Sequence, residues 1–157
     1  MRIRLITTGT RAPEWIRQGT EEYRRRLPPE CALEVVEIAP GRRGRKGDDV
    51  ARAVRDEGTR LLAAVPVGAR VWVLDERGQE WNTRELAERL AGWLHDGRDL
   101  ALLVGGADGL SEECRGRAEG AWSLSRLTLP HRLVRVLAAE QLYRAWSLLA
   151  HHPYHRD

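Results

Sequence analysis

No run of apolar residues in this 157-residue chain approaches the roughly 20 needed to cross a bilayer as a helix. Cysteine is scarce: Cys31 and Cys114 stand far apart with no CxxC spacing, which excludes a disulfide framework and leaves two reduced thiols as the simplest reading. Lysine is scarcer still, since Lys46 is the single one and every other basic residue is arginine. The opening Met1–Gly9 segment carries too short an apolar stretch for an export signal and reads as a strand, so the expected compartment is the cytoplasm. Neither GxGxxG nor a Walker loop occurs, which excludes the two standard phosphate cradles. No histidine or cysteine spacing matches a zinc pattern, and no metal is expected.

What is present is the composition of an ordinary globular protein, 42% hydrophobic and 31% charged, in a length suited to one domain with a real core. The net charge of +3 is a mild basic excess that permits an anionic partner without demanding one. The arginine bias is open to two readings, codon usage or the planar donor fork that suits phosphate.

Short apolar runs alternate with amphipathic stretches. Strands are expected at Arg2–Thr7, Leu33–Ile38, Arg70–Leu74, Asp99–Val104 and Ala121–Leu124. Helices are expected at Pro13–Arg26, Asp48–Val65, Thr83–His95, Ser111–Ala118 and Leu133–Leu149. Asn82 with Glu85 resembles a capping box, and Ser111 is placed to cap the fourth helix. Such alternation predicts an α/β fold, a mostly parallel sheet with helices on both faces.

Several segments stand out chemically. The Pro40–Gly47 stretch, with Arg42, Arg43, Arg45 and Lys46 among three glycines, cannot pack a core and reads as an exposed, strongly positive loop. The Val104-Gly105-Gly106-Ala107-Asp108-Gly109 run places glycines at the carboxyl end of a strand, where ligands bind in open sheets; it reads as a ligand loop or as a tight structural turn. Trp122–His131 is too polar for a central strand and too apolar for a free loop, and is open to connector or binding roles. In the last helix Glu140 reaches Arg144 at i+4, the spacing of a simple ion pair. The tail His151-His152-Pro153-Tyr154-His155-Arg156-Asp157 combines a group that titrates near neutrality, a stacking ring and an anion fork.

Taken in order, these motifs resemble the RlmH-type ribosomal RNA pseudouridine N3-methyltransferases of the SPOUT class. The likeness runs from Thr8-Gly9-Thr10 through Pro40–Gly44, Leu103–Leu110, Ser123–His131, Val134-Arg135-Val136 and Glu140–Ala145 to Tyr154-His155-Arg156. The family often has lysine where this basic loop has arginine. The resemblance implies a C-terminal trefoil knot over about residues 70–157, a homodimer, S-adenosylmethionine as cofactor, and large-subunit (23S) rRNA within the assembled ribosome as substrate. It implies a cofactor site made of Leu74, Gly105, Leu124, Ser125, Arg126, Leu127, Thr128 and Leu129. Tyr154 and His155 are expected to shape the target-base pocket, with His155 the better candidate base, and Arg144 and Arg156 to hold phosphate or base carbonyls. Arg42, Arg43, Arg45 and Lys46 are expected to touch RNA. The alternatives are a SPOUT enzyme acting on another RNA such as tRNA, and a ribosome-associated binding protein without catalysis; a Rossmann nucleotide binder is a poorer third option, lacking the N-terminal glycine fingerprint.

Overall fold

The structure, a computed structural model, describes residues 1–44 and 48–156. One sheet contains β1 (Arg2–Thr8), β2 (Ala32–Ile38), β3 (Arg70–Glu80), β4 (Leu100–Val104) and β5 (Gly120–Ser123), in the order β2-β1-β4-β3-β5. Every pairing among these strands is parallel. The helices are α1 (Glu14–Arg24), α2 (Asp48–Ala63), α3 (Thr83–Asp96), α4 (Glu112–Arg117) and α5 (His131–Leu149).

The two-residue period of each strand sorts its side chains into two cores. Ile3, Leu5, Trp72, Leu74, Leu100, Leu102 and Val104 pack with Leu86, Leu90 and Trp93 of α3 and with Ala138 and Leu142 of α5. The intervening Ile6, Val71, Val73, Ala101 and Leu103 pack with Leu61 of α2 and Cys114 of α4. With both faces covered, the central β4 is buried at every position, as its unbroken Leu-Ala-Leu-Leu-Val run requires. Helix α5 lies against α1 and α3 on the first face. Both cysteines are buried free thiols, and burial pushes the Cys31 thiol up to about 12.

The predicted caps form. Asn82 Oδ1 accepts from the Glu85 amide at 2.9 Å while Glu85 Oε2 accepts from the Asn82 amide at 2.8 Å. Ser111 Oγ accepts from the Cys114 amide at 3.2 Å.

Most element ends fall within two residues of those expected from the sequence, and two of the differences shape the rim of the sheet. β3 does not stop at Leu74 but continues to Glu80, with its register against β5 slipping so that Leu74 and Gln79 both face Trp122. The apolar pattern ends at Leu74 because Asp75–Gly78 bulges out, the Arg77 amide donating to Asp75 Oδ1 at 3.0 Å. Helix α5 begins at His131 rather than Leu133, because the ring of Pro130 fixes φ at −57°, close to the helical value, and leads the chain straight into the first turn.

A parallel sheet with crossover connections brings the carboxyl ends of all its strands to one edge. The loop after β1, the Pro40–Gly44 segment after β2, the β3 bulge, the glycine loop after β4 and the 124–130 loop after β5 therefore share one rim. The last two belong to the segment where the resemblance places the knot. No helix among the described residues is long and apolar enough to cross a membrane.

Candidate active site

The glycine loop is both a tight turn and a wall of the site. Gly106 O accepts from the Gly109 amide at 3.1 Å, and Gly109 sits at φ +83°, a conformation that L side chains rarely adopt. A Cβ on Gly105 would lie 2.6 Å from the carbonyl carbon and oxygen of Gly109, so no side chain fits there.

The 124–130 loop is shaped by its own serines. Ser123 Oγ donates to Ser125 O at 2.8 Å, and Ser125 Oγ accepts from the Leu127 amide at 2.9 Å. Thr128 Oγ1 donates to Glu76 Oε2 at 3.0 Å, tying the loop to the β3 bulge. Among the described residues, the peptide N–H groups of Arg126, Thr128 and Leu129 have no main-chain partner.

These two loops and the bulge enclose a cleft of about 450 Å³, within the usual range for small-molecule sites. Leu74, Gly105, Leu124, Ser125, Leu127, Thr128 and Leu129 all line it. Arg126 does not: its side chain is 87% exposed and points to Glu80, 3.6 Å away. The cleft also takes in Asp75, Asp108, Trp122 and His131, which the sequence reading did not assign. Proximity to the glycine loop in sequence could have flagged Asp108. Asp75 and His131 carry no local signal, because only the bulge and the early start of α5 bring them to the rim. Trp122 stacks on Trp81 with ring centroids 5.6 Å apart.

Two arginines brace the glycine loop. Arg115 donates to Asp75 Oδ2 from Nε at 3.1 Å and from Nη2 at 2.9 Å, and its Nη1 reaches Leu110 O at 2.9 Å. Burial raises the Asp75 carboxyl, but the Arg77 amide and the Arg115 guanidinium outweigh that and hold it below the usual carboxylate range. Arg43 is the second brace. Its Nε donates to Asp108 Oδ2 at 2.8 Å, and its Nη1 and Nη2 donate to Glu57 Oε2 and Oε1 at 3.0 and 3.2 Å. Glu57, on α2, is only 2% exposed and also accepts from the Gly41 amide at 2.9 Å. Arg43 is thus held as a clasp by its ion pairs although it lies at the surface, and Arg42 beside it is exposed. Arg45 and Lys46 lie outside the described residues.

The tail sits elsewhere. Tyr154 Oη donates to Glu140 Oε1 at 2.9 Å, Arg144 Nη2 lies 2.6 Å from the same oxygen, and the Arg144 guanidinium stands 4.9 Å over the Tyr154 ring. Burial, and then the Glu140 carboxylate, push the Tyr154 phenol up, so it stays protonated. Tyr154 packs on Tyr143 at 4.6 Å between centroids. Arg156 is exposed and His155 half-buried. None of Arg144, Tyr154, His155 or Arg156 lines the cleft. Helix geometry explains the separation: α5 starts at the cleft with His131, and its 19 residues carry the chain roughly 27 Å along the axis before the tail turns back.

A model of the family described as "Predicted SPOUT methyltransferase" matches residues 1–155. The chain belongs to the SPOUT methyltransferase family. Proteins called "Ribosomal RNA large subunit methyltransferase H" are similar to it throughout. The one from Methylococcus capsulatus is 60% identical over 99% of this chain and 100% of its own, and that from Alkalilimnicola ehrlichii is 61% identical over 99% of each. Solved structures share the fold at low identity. A probable rRNA-methyltransferase from Porphyromonas gingivalis has a TM-score of 0.55 at 16% identity, covering 94% of this chain and 69% of its own. A probable methylase family protein from Haemophilus influenzae has a TM-score of 0.57 at 13% identity, covering 99% and 70%. The family match, residues 1–155, spans both the glycine-loop cleft and Tyr154 and His155 of the tail, which lie at opposite ends of α5.

Proposed function

We propose that this protein is a cytoplasmic S-adenosylmethionine-dependent methyltransferase that modifies N3 of a pseudouridine in large-subunit rRNA, acting as a homodimer on the ribosome. The observation that carries the reading is the cleft between the glycine loop and the 124–130 loop, in a chain that matches named large-subunit rRNA methyltransferases along its whole length. The knotted region is assigned to about residues 70–157.

The cleft suits the cofactor. Gly105 offers bare backbone where a Cβ has no room, the peptide N–H groups of Arg126, Thr128 and Leu129 are open to a polar ligand edge, and Leu74, Val104, Leu124 and Leu127 supply apolar walls. Behind Gly106, the buried Thr8 hydroxyl has no hydrogen-bond partner among the described residues. Leu74, Gly105 and the 124–129 loop would hold S-adenosylmethionine, Arg126 through its main chain only. When bound, that cofactor supplies an activated methyl group on a sulfonium.

The protein's own contribution is largely positioning, which alone can supply several kcal/mol of a barrier, up to about 7–11. Arg43 and Arg115 fix the glycine loop, so the cleft is built before ligand arrives. Tyr154, His155, Arg144 and Arg156 shape the pocket for the target base, with Glu140 holding Tyr154 and Arg144 in place. The tail residues do not line the cleft of their own chain, from which α5 separates them, and delivery of the tail by a second copy fits a dimeric enzyme. Arg42 supplies phosphate contact at the rim; Arg45 and Lys46 extend that charge, and Arg43 contributes by ordering the segment.

Incubating the purified protein and S-adenosylmethionine with 50S-containing ribosomes and, separately, with tRNA tests the reading. One methyl group on a pseudouridine of the large-subunit rRNA, and none on tRNA, is expected. Transfer to tRNA alone, or cofactor binding without transfer to any RNA, would overturn it.

A further inference from the structure

The tail lies remote from the cleft of its own chain, yet the N3 proton of the target base must be removed at the point where the methyl group arrives. One titratable side chain already stands in the cleft. His131 opens α5 directly after Pro130, lines the cleft beside Leu129 and Val134, and turns its Nε2 toward Gly9. A Cβ built on Gly9 would still be 3.9 Å from that nitrogen, so the ring edge meets a loop without a side chain. Among the described residues, neither ring nitrogen of His131 takes a hydrogen-bond partner. A cleft-lining imidazole with both nitrogens open is an incomplete arrangement that a substrate would complete.

We propose that His131 is the proton acceptor for the target base. This inference rests on the methyltransferase reading above and assigns the base to the cleft rather than to His155. In the reaction, the electron pair of the N3–H bond becomes the new N3–C bond. The C–S pair of the sulfonium returns to sulfur, giving a neutral thioether, and the N3 proton passes to Nε2 of His131. The resulting imidazolium returns its proton to water, and no other reactant is needed.

The surroundings keep the imidazole ready to accept. Burial, and then Arg132 and Arg135 on α5, hold it below its ordinary value; Glu57 of α2 opposes this and Arg43 of the 39–44 segment adds to it. Of the other charged groups on the cleft, Asp75 and Asp108 are engaged by Arg115 and Arg43, Glu76 by Thr128, and Arg77 stands on the bulge. His131 is therefore neutral at pH 7, the form a general base requires.

The test follows the His131 ring by NMR while pH is varied, and compares its titration with the pH dependence of methyl transfer in wild type, H131Q and H155Q. The ring should titrate below about 6.5, the ordinary histidine value. The acid limb of the wild-type rate should share that midpoint. H131Q should lose that limb and fall by about 10²–10⁴-fold at neutral pH, with S-adenosylmethionine affinity retained by calorimetry. H155Q should keep the limb whatever its rate. An acid limb that persists in H131Q, that vanishes in H155Q, or that departs from the His131 midpoint in wild type overturns the assignment. So does loss of cofactor affinity matching the loss of rate, which would make His131 a wall of the cofactor site. If H131Q does not fold, agreement or disagreement of the two wild-type midpoints decides. A wild-type protein that methylates no RNA refutes the functional reading instead, so the two failures are distinct.

Discussion

Replacing Arg43 by alanine separates two roles that an exposed basic loop would otherwise merge. In the structure Arg43 is the main counter-charge of Glu57, whose side chain is 2% exposed, and among the described residues the Gly41 amide is the only other donor to that carboxylate. Removing one partner of a fully buried pair costs about 3–5 kcal/mol, because the remaining charge is left uncompensated. Arg43 itself is 28% exposed, so water can partly replace it, and a loss of about 2–3 kcal/mol is the reasoned figure. For a chain of this size each kcal/mol lowers Tm by about 2–4 °C, which puts the expected fall at roughly 4–12 °C. Calorimetric melting of R43A, E57Q and the double variant is the assay. The double variant should recover much of the R43A loss, since no charge is then stranded. S-adenosylmethionine affinity should also fall in R43A, because Asp108 of the glycine loop loses its anchor. An R43A protein with wild-type Tm and a flattened salt dependence of RNA binding would refute this reasoning, and would make Arg43 a free phosphate contact.

Other expected outcomes follow the same geometry. Gly105→Ala forces a Cβ against the Gly109 carbonyl, an overpacking that costs about 1–3 kcal/mol; calorimetric titration should show cofactor affinity reduced about 5–150-fold, and an unchanged Kd would contradict the close approach. Deleting Tyr154–Asp157 should abolish methyl transfer while leaving cofactor affinity in place, since no described tail residue lines the cleft. Mixing that truncated chain with a variant defective only in the cleft should restore activity if the two elements act across the dimer. Asp75, held below its ordinary value, contributes stability that is present above the unfolded pKa of about 3.9 and is lost as pH falls through the lower folded value. Asp75→Asn should therefore lower Tm at pH 7 and reduce the acid-induced loss, as a melting series across pH will show.

Much of the fold was legible from residue patterns because the signals are local. The leucine-rich β4, the Asn82–Glu85 capping box and Ser111 each specify their element through neighbours within a few positions. The strand order, by contrast, depends on which apolar faces meet in space, and no periodicity encodes it. The polar Asp75–Gly78 stretch hid the continuation of β3, since its pairing with β5 resumes only after a bulge. At the site, the glycine loop and Leu124–Leu129 could be marked by sequence, although the exposed Arg126 side chain could not be told from its neighbours. The clasp of Arg43 by Glu57 and Asp108 joins positions far apart in the chain, so composition alone cast Arg43 as a solvated charge. His131 was hidden for a similar reason: it is a cleft residue only because Pro130 starts α5 at the sheet's carboxyl edge.

Mass mapping of large-subunit rRNA before and after treatment of ribosomes with the purified protein and S-adenosylmethionine tests directly whether the protein methylates a pseudouridine. One added methyl group is expected, confined to a single pseudouridine and lost on deletion of the tail. An unmodified rRNA, or a methyl group that appears equally with the tail removed, would contradict it.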